Sequence, residues 1–379
     1  MLNKTRSLAP DLARGFMLLL IALAHAPAFV GDWSGPAWLA FTKSLIADNQ
    51  ARDMFIFLFG YGLGQLAHSR RAKGLEWIST RKLMRRRAWW LIAIGLLNTA
   101  LLVPFDIIAV YGLTLLALAP MVRARDSVLW WTAGLTLIPA TLLLAWQSVI
   151  AQAGPVTMTS FMAGTFGEHV IGNLPTWPGN ALAGTIMVVP GMLAGIWAAR
   201  RRLLDEPERH LPLLRRLAYG GLALALIGRL PAALLAAGAF PLPATPLRWA
   251  IAVGHDLTGY AGGVGMAAAI GLIAVRIHRR GPLTTALTAL GQRSLSFYLF
   301  QAVVWVVLFY PFGLGLHDDL SFAATFVIAV AVWVVSLLLA WLMHAAGYRG
   351  PGEVLLRKLA DRPETPVSSQ VEAPARLSP

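Results

Sequence analysis

An all-α, polytopic transmembrane bundle is the fold class this sequence predicts, and three observations carry it. Hydrophobic residues make up 57% of the 379 residues and charged ones only 13%, with a mean hydropathy of +0.63. No soluble domain of that length buries so much apolar surface. Apolar windows long enough to cross a bilayer recur along the whole chain, and the basic residues collect in alternate connections, as they do in cytoplasmic loops.

Ten windows read as spans, running approximately over 9–30, 54–68, 88–103, 107–121, 128–150, 181–199, 217–239, 249–273, 286–310 and 322–345. The stretch 36–47 is too short to cross and reads as an interfacial helix. One set of connections holds Lys4, Arg6, the run from Arg70 to Arg87, Arg123, Arg125, the group from Arg200 to Arg216, Arg276, Arg279, Arg280 and the tail from Arg349. The other holds little beyond Lys43, Arg52 and Arg248. Both termini are therefore expected to be cytoplasmic, in an integral protein of a bacterial plasma (cytoplasmic) membrane surrounded by membrane lipids.

The +14 charge is thus a topology signal. A nucleic-acid partner is not expected, since no soluble basic domain exists to bind one. The absence of cysteine excludes disulfides, thiolate metal sites and cysteine nucleophiles. His25, His169, His255 and His344 lack ligand spacing, so no metal is expected either. The N-terminus has the outline of a signal peptide, with Lys4, Arg6 and Ala24-His25-Ala26, but Asp11 and Arg14 crowd the apolar run and Pro27 would follow the cut.

The bundle is expected over 1–360, with 361–379, rich in Pro, Ser, Glu and Ala, as a disordered cytoplasmic tail. The long external connection 151–178 has no lysine or arginine but carries Glu168 and His169, which suits a lid or a re-entrant element. Pro139, Pro190, Pro231 and the glycines at 259, 262, 263 and 265 are expected to interrupt helices. Those glycines suit close helix packing; no strand precedes them and no Lys-Ser/Thr follows, so they are not a phosphate loop.

The sharpest chemistry is on the first span. Arg14 and His25 are eleven residues apart, so they return to nearly one helix face about 16 Å apart along the axis. Asp11 lies a turn below Arg14. Ionisable groups in a membrane segment are costly and mark function by default. Further candidates are Asp53, Asn98 and Asp106, then Arg293, Ser294, Tyr298 and Gln301, the last three at i, i+4 and i+7 on one polar stripe. Each also has a structural reading. Asp53, Asp106 and Asp256 suit helix caps, the stripe suits interhelical hydrogen bonding, and Arg14 and Arg293 suit snorkelling toward lipid phosphate.

A resemblance rests on Leu8 to Gly15, Phe55-Ile56-Phe57-Leu58-Phe59-Gly60, Gly95-Leu96-Leu97-Asn98, the run Phe105 to Gly112, Gly291 to Gln301, and Gly350 to Arg357. These resemble the YeiB-like membrane family of unknown function. That family is distantly similar to the acyltransferase-3 proteins and to heparan-α-glucosaminide N-acetyltransferase, which move acyl groups from cytoplasmic acyl-CoA to acceptors across the membrane. Acyltransferase-3 members carry arginine and histidine on the first helix at the spacing of Arg14 and His25. His25 stands where the YeiB-like pattern more often has a polar amide, and Asn98 where it often has histidine.

The resemblance implies a transmembrane acyltransferase with acyl-CoA as donor and a glycan or lipid as acceptor. His25 then serves as general base, with Asp11 fixing Arg14, while Arg14, Arg293 and Tyr298 hold the donor. A small-molecule transporter and a non-catalytic lipid-binding or scaffold protein are the alternatives the residues leave open. Oligomeric state is not legible.

Overall fold

The computed structural model describes residues 7–31, 35–48, 50–104, 106–153 and 162–361, and among these there are helices and turns but no strand. In chain order the helices are α1 (Leu8–His25), α2 (Ala37–Thr42), α3 (Gln50–Ala72), α4 (Trp77–Leu101), α5 (Ile108–Leu118), α6 (Asp126–Ala153) and α7 (Phe166–Asn173). They continue as α8 (Trp177–Arg200), α9 (Leu211–Ala236), α10 (Thr245–Arg276), α11 (Pro282–Gly291), α12 (Ser294–Phe309), α13 (Phe322–Ala345) and α14 (Pro351–Ala360). The expected interfacial segment is α2, continued by a π turn over Lys43–Ala47. The tail beyond 361 and the part of the long connection at 154–161 lie outside the described residues.

Six helices among these are long and apolar enough to cross a membrane: α1, α6, α8, α9, α10 and α13. The pair α11 and α12 makes a seventh if the two cross together. The ten-window reading also counted α3, α4 and α5. The first two are of spanning length, but Arg70, Arg71 and the run Arg81 to Arg87 sit within them, and α5 has only 11 residues.

Two expectations about helix breaks are corrected. Pro139, Pro190 and Pro231 lie inside the continuous helices α6, α8 and α9, and the Gly259–Gly265 series lies inside the 32-residue α10. A proline forfeits one backbone hydrogen bond, a loss a packed helix in apolar surroundings tolerates.

The true break falls within 286–310, which the hydropathy pattern draws as one straight span: α11 and α12 meet at 84°. Free backbone groups at such a break require partners. Glu353 of α14 supplies them on one side, accepting from Leu295 N at 2.8 Å and from Ser296 Oγ at 2.5 Å. Arg293 supplies them on the other, its Nη1 donating to the Ala289 carbonyl at 2.9 Å and its Nη2 to the Tyr348 carbonyl. An acid at the start of α12 and a guanidinium at the end of α11 also match the helix dipoles.

Helix α1 is the centre of the bundle. Its best window is 61% buried, against 22% for the α9 span and 28% for α13, whose outward faces carry Ile227, Leu226, Val327 and Leu338 into the surroundings. Neighbours bond directly to its backbone: Trp333 Nε1 donates to the Gly15 carbonyl at 3.1 Å and Gln301 Nε2 to the Leu18 carbonyl at 3.2 Å.

Between helices in lipid no hydrophobic drive exists, so close backbone approach has to provide the contact. The crossing of α3 on α8 shows this. A Cβ at Gly60 would reach 2.7 Å from Met192 Cα, and one at Gly195 would reach 2.7 Å from Tyr61 N. At Gly263 a Cβ would lie 2.5 Å from Met54 N, which seats α10 against the start of α3.

Polar contacts separate to two ends of the bundle. One end gathers the basic groups: Arg200 and Arg201 on Asp126 at 3.0 and 2.7 Å, Arg87 on Asp361 at 3.2 Å, and Tyr61 and Gln65 on Asp205 at 3.0 and 2.7 Å. The other end holds Lys43 on Asp48 at 2.7 Å and Arg248 on the Val149 carbonyl at 2.5 Å.

Candidate functional site

The line on α1 is present as a physical object. Asp11 is buried, accepting from Arg14 Nη1 at 3.4 Å and from Gln292 Nε2 at 3.0 Å. Arg14 Nη2 points to the Leu58 carbonyl at 3.4 Å, and Gly62 makes room for it: a Cβ there would lie 3.1 Å from the same nitrogen. The acid thus ties α1 to the break between α11 and α12, and the guanidinium lies along α3.

His25 ends α1 at the opposite end of the line, where a 3-10 turn over Ala26–Phe29 follows. It lines a cavity of about 30 Å³ together with Ile21, Val103, Tyr298, Gln301 and Trp305. That space suffices for two or three waters on the scale of about 10–15 Å³ each. Gln301 is 1% exposed; its Nε2 is engaged with α1 and its Oε1 has no partner. Tyr298 is buried beside Phe55, with ring centroids 6.5 Å apart. Two members of the polar stripe on α12 therefore meet His25, while Ser294 stays at the α12 start near the break. Arg14 does not line this cavity.

Arg293 does not join it either. Its Nη1 and Nη2 donate to the carbonyls of Ala289 and Tyr348 and its Nε has no partner, and at 5% exposed it does not snorkel toward the surroundings.

Asp106 is a cap, taking the free N–H groups of Ile108 at 3.1 Å and Ala109 at 2.6 Å at the start of α5, and Asn98 Nδ2 donates to it at 3.3 Å. Asn98 Oδ1 and the Tyr111 hydroxyl are buried beside this pair without partners. Asp53 is not a cap. It is 1% exposed, neither carboxylate oxygen accepts a hydrogen bond, and its ion pair with Arg52 Nε spans 3.8 Å. Asp256, also read as a cap, is paired with His255 at 3.0 Å and accepts from Ser148 Oγ at 2.8 Å.

The external connection contributes α7, whose start is a complete capping box between Thr165 and Glu168. Its inner face docks on the end of α4. His169 Nε2 donates to the Leu102 carbonyl at 3.1 Å, and Asn173 Nδ2 donates to the Thr99 carbonyl at 3.0 Å. Burial pushes the His169 imidazole below its usual range, and the Leu102 carbonyl opposes that in part. The folded state thus binds this proton less readily than the unfolded chain, whose imidazole titrates near pH 6.5. The sign follows: the docking of α7 is at full strength above about pH 6.5 and weakens as pH falls below it. Hydrogen exchange over 166–173 is expected to quicken between pH 7.5 and pH 5.5, and His169→Gln is expected to flatten that dependence.

Several of these partners escape inspection of the sequence. Gln292, Glu353 and Asp205 each stand in a visible place: inside Gly291-Gln292-Arg293, after Gly350-Pro351-Gly352, and as an acid in a basic loop. The bond from Arg229 to the π turn, through the carbonyls of Ser44 at 2.8 Å and Asp48, has no sequence signal.

Fold and site define a helical membrane protein whose central helix carries a buried acid, a guanidinium and an imidazole. Comparison with known proteins refines that class. Residues 198–363 match a family described as a protein of unknown function, DUF418, and residues 6–112 match a family described as OpgC protein. The uncharacterized protein YxaH of Bacillus subtilis is similar at 25% identity, over 80% of this chain and 77% of its own length. The uncharacterized protein YeiB of Escherichia coli is similar at 25% identity, over 96% of this chain and 99% of its own. Together these likenesses support a YeiB-like family and a bacterial membrane protein. The OpgC-matching stretch carries Asp11, Arg14, His25, Asp53 and Asn98, and the DUF418 stretch carries Tyr298 and Gln301.

Proposed function

We propose that the protein is a transmembrane acyltransferase that moves an acyl group from cytoplasmic acyl-CoA to an acceptor at the membrane or its outer side. The observation that carries this reading is the cavity where His25 meets Tyr298 and Gln301, on the helix that holds Asp11 and Arg14. The match of residues 6–112 to a family described as OpgC protein covers the helix that carries Asp11, Arg14 and His25.

In this reading the basic end is cytoplasmic, both termini lie there, and α3, α4, α5 and the bent α11–α12 pair complete about ten crossings. The positive-inside rule supports that orientation. Arg14, at the basic end, holds a phosphate or the pantetheine of the donor, as guanidinium suits such oxygens, and Asp11 fixes it. His25 takes the proton from an acceptor hydroxyl or amine as that group attacks the thioester carbonyl. The carbon–sulfur bond breaks, the sulfur leaves as thiol with a proton returned from the imidazole, and Tyr298 donates to the oxyanion. Gln301 Oε1, lacking a partner, is placed to accept from the acceptor. A cavity of about 30 Å³ favours a short acyl group.

Purified protein is expected to bind acetyl-CoA and hydrolyse its thioester slowly, with water in place of the acceptor. His25→Ala is expected to lower that hydrolysis by about 10²–10⁴-fold while leaving binding within a few-fold. A protein that binds and turns over no acyl-CoA, yet carries a solute into vesicles, would overturn the enzyme in favour of a transporter. That second reading is favoured by the buried charged groups around Asp53, whose carboxylate oxygens accept no hydrogen bond.

A further inference from the structure

The chemistry above uses the polar side chains around the His25 cavity and leaves its apolar walls unused. Tyr298, Gln301, Ala302 and Trp305 stand at i, i+3, i+4 and i+7 on α12, so one stripe of that helix turns from polar to apolar within the lining. Ile21, Phe29 and Val103 add apolar surface from other segments. No lysine or arginine among the described residues lines the space, and Gln301 Oε1, which has no partner, is an acceptor. A carboxylate on the far end of an acyl chain would therefore meet a carbonyl oxygen and no cation, and burying it there costs its hydration without return. An alkyl end gains by leaving water.

Size is limited as sharply as charge. The cavity of about 30 Å³ holds two or three water-sized groups at about 10–15 Å³ each, which is the room an acetyl or propionyl group needs. Trp305 is the largest of the walls and the least able to yield. It is 2% exposed and packs in a triangle with Phe29 and Phe309, at ring-centroid distances of 6.2 and 6.1 Å, while those two rings stack on each other at 5.4 Å. A ring held by two others in a close-packed cluster does not swing aside for a longer chain. Ala302 is the opposite case, a small wall residue next to Gln301 whose enlargement would occupy the space itself.

We infer that the donor carries an uncharged acyl group of acetyl or propionyl size, and that Trp305 sets this limit. The inference rests on the acyl-transfer reading and names the substrate class of the same site.

Acetyl-, propionyl-, hexanoyl- and succinyl-CoA, offered one at a time to detergent-purified full-length protein, test it. Water adds to the thioester carbonyl, the carbon–sulfur bond breaks, and the free acid and the CoA thiol leave. Ellman's reagent follows the thiol and meets no cysteine in the protein.

Wild type is expected to favour acetyl- or propionyl-CoA over the other two by at least about ten-fold in kcat/KM, the scale on which an apolar pocket discriminates by size. Trp305→Leu opens the wall and is expected to raise the hexanoyl-to-acetyl ratio at least about ten-fold, with succinyl-CoA still poor. Ala302→Val narrows the space and is expected to lower the propionyl-to-acetyl ratio by about as much. Each ratio is taken within one preparation, so a loss of folded protein lowers both rates and leaves the ratio unchanged. Should Trp305→Leu fail to fold, Ala302→Val decides. A wild type that hydrolyses hexanoyl- or succinyl-CoA as fast as acetyl-CoA, or a folded variant whose ratios match wild type, overturns the inference and leaves acyl transfer standing. Turnover of none of the four overturns both.

Discussion

Gly195→Leu is expected to yield little or no folded protein, with a loss of about 4 kcal/mol or more, in the range reserved for gross packing failures. The side chain at 195 would have to pass through backbone: the Phe57 carbonyl lies in its path and Tyr61 N would lie 2.7 Å from the new Cβ. Side chains can rotate away from an intruder, but the backbone of α3 cannot, so α8 must separate from α3. The consequences reach the site, because Leu58 on that stretch of α3 receives Arg14. Gly134, whose Cβ would meet nothing within 4 Å, is the control; Gly134→Leu is expected to unfold as wild type does. Unfolding midpoints in one detergent compare the two.

Asp11→Ala is expected to be the second most damaging change, at about 3–5 kcal/mol, because it removes a buried carboxylate from a charged pair and does not merely remove an apolar contact. Asp11 accepts from Arg14 and from Gln292; without it the guanidinium loses this carboxylate and the α11–α12 break loses this bond to α1. Adding Arg14→Met is expected to restore part of the loss, since the other charge of the pair then disappears. Equal stability of the single and double variants would show that Asp11 does not act through Arg14.

How much of this was legible in the chain varies with the range of the interaction. The membrane class, the helices and the α1 line follow from composition and from a 3.6-residue period, both local properties. That Tyr298 and Gln301 would meet His25 was half legible: the stripe showed that α12 has a polar face, but not which helix it faces. The 84° bend was invisible, because hydropathy runs unbroken from Ala286 to Tyr310 while Glu353, which accepts from the backbone at the break, lies more than fifty residues away. Proline misled for the opposite reason. Its effect is read locally, yet tolerance depends on the surrounding helices. Asp53 and Arg293 show the same limit: Asp53, expected as a cap, accepts no hydrogen bond and faces Arg52, while Arg293 donates to the carbonyls of Ala289 and Tyr348.

The claim at the centre is that the cavity beside His25 receives the acyl group of a thioester donor. Acyl-CoA bearing a short diazirine acyl chain, photolysed on the purified protein and mapped by mass spectrometry, tests it most directly. Label on Ile21, Ala28, Val103, Ala302 or Trp305, suppressed by excess acetyl-CoA, is the predicted result. Label confined to the outward faces of α9 and α13, or label that excess acetyl-CoA does not displace, would contradict it.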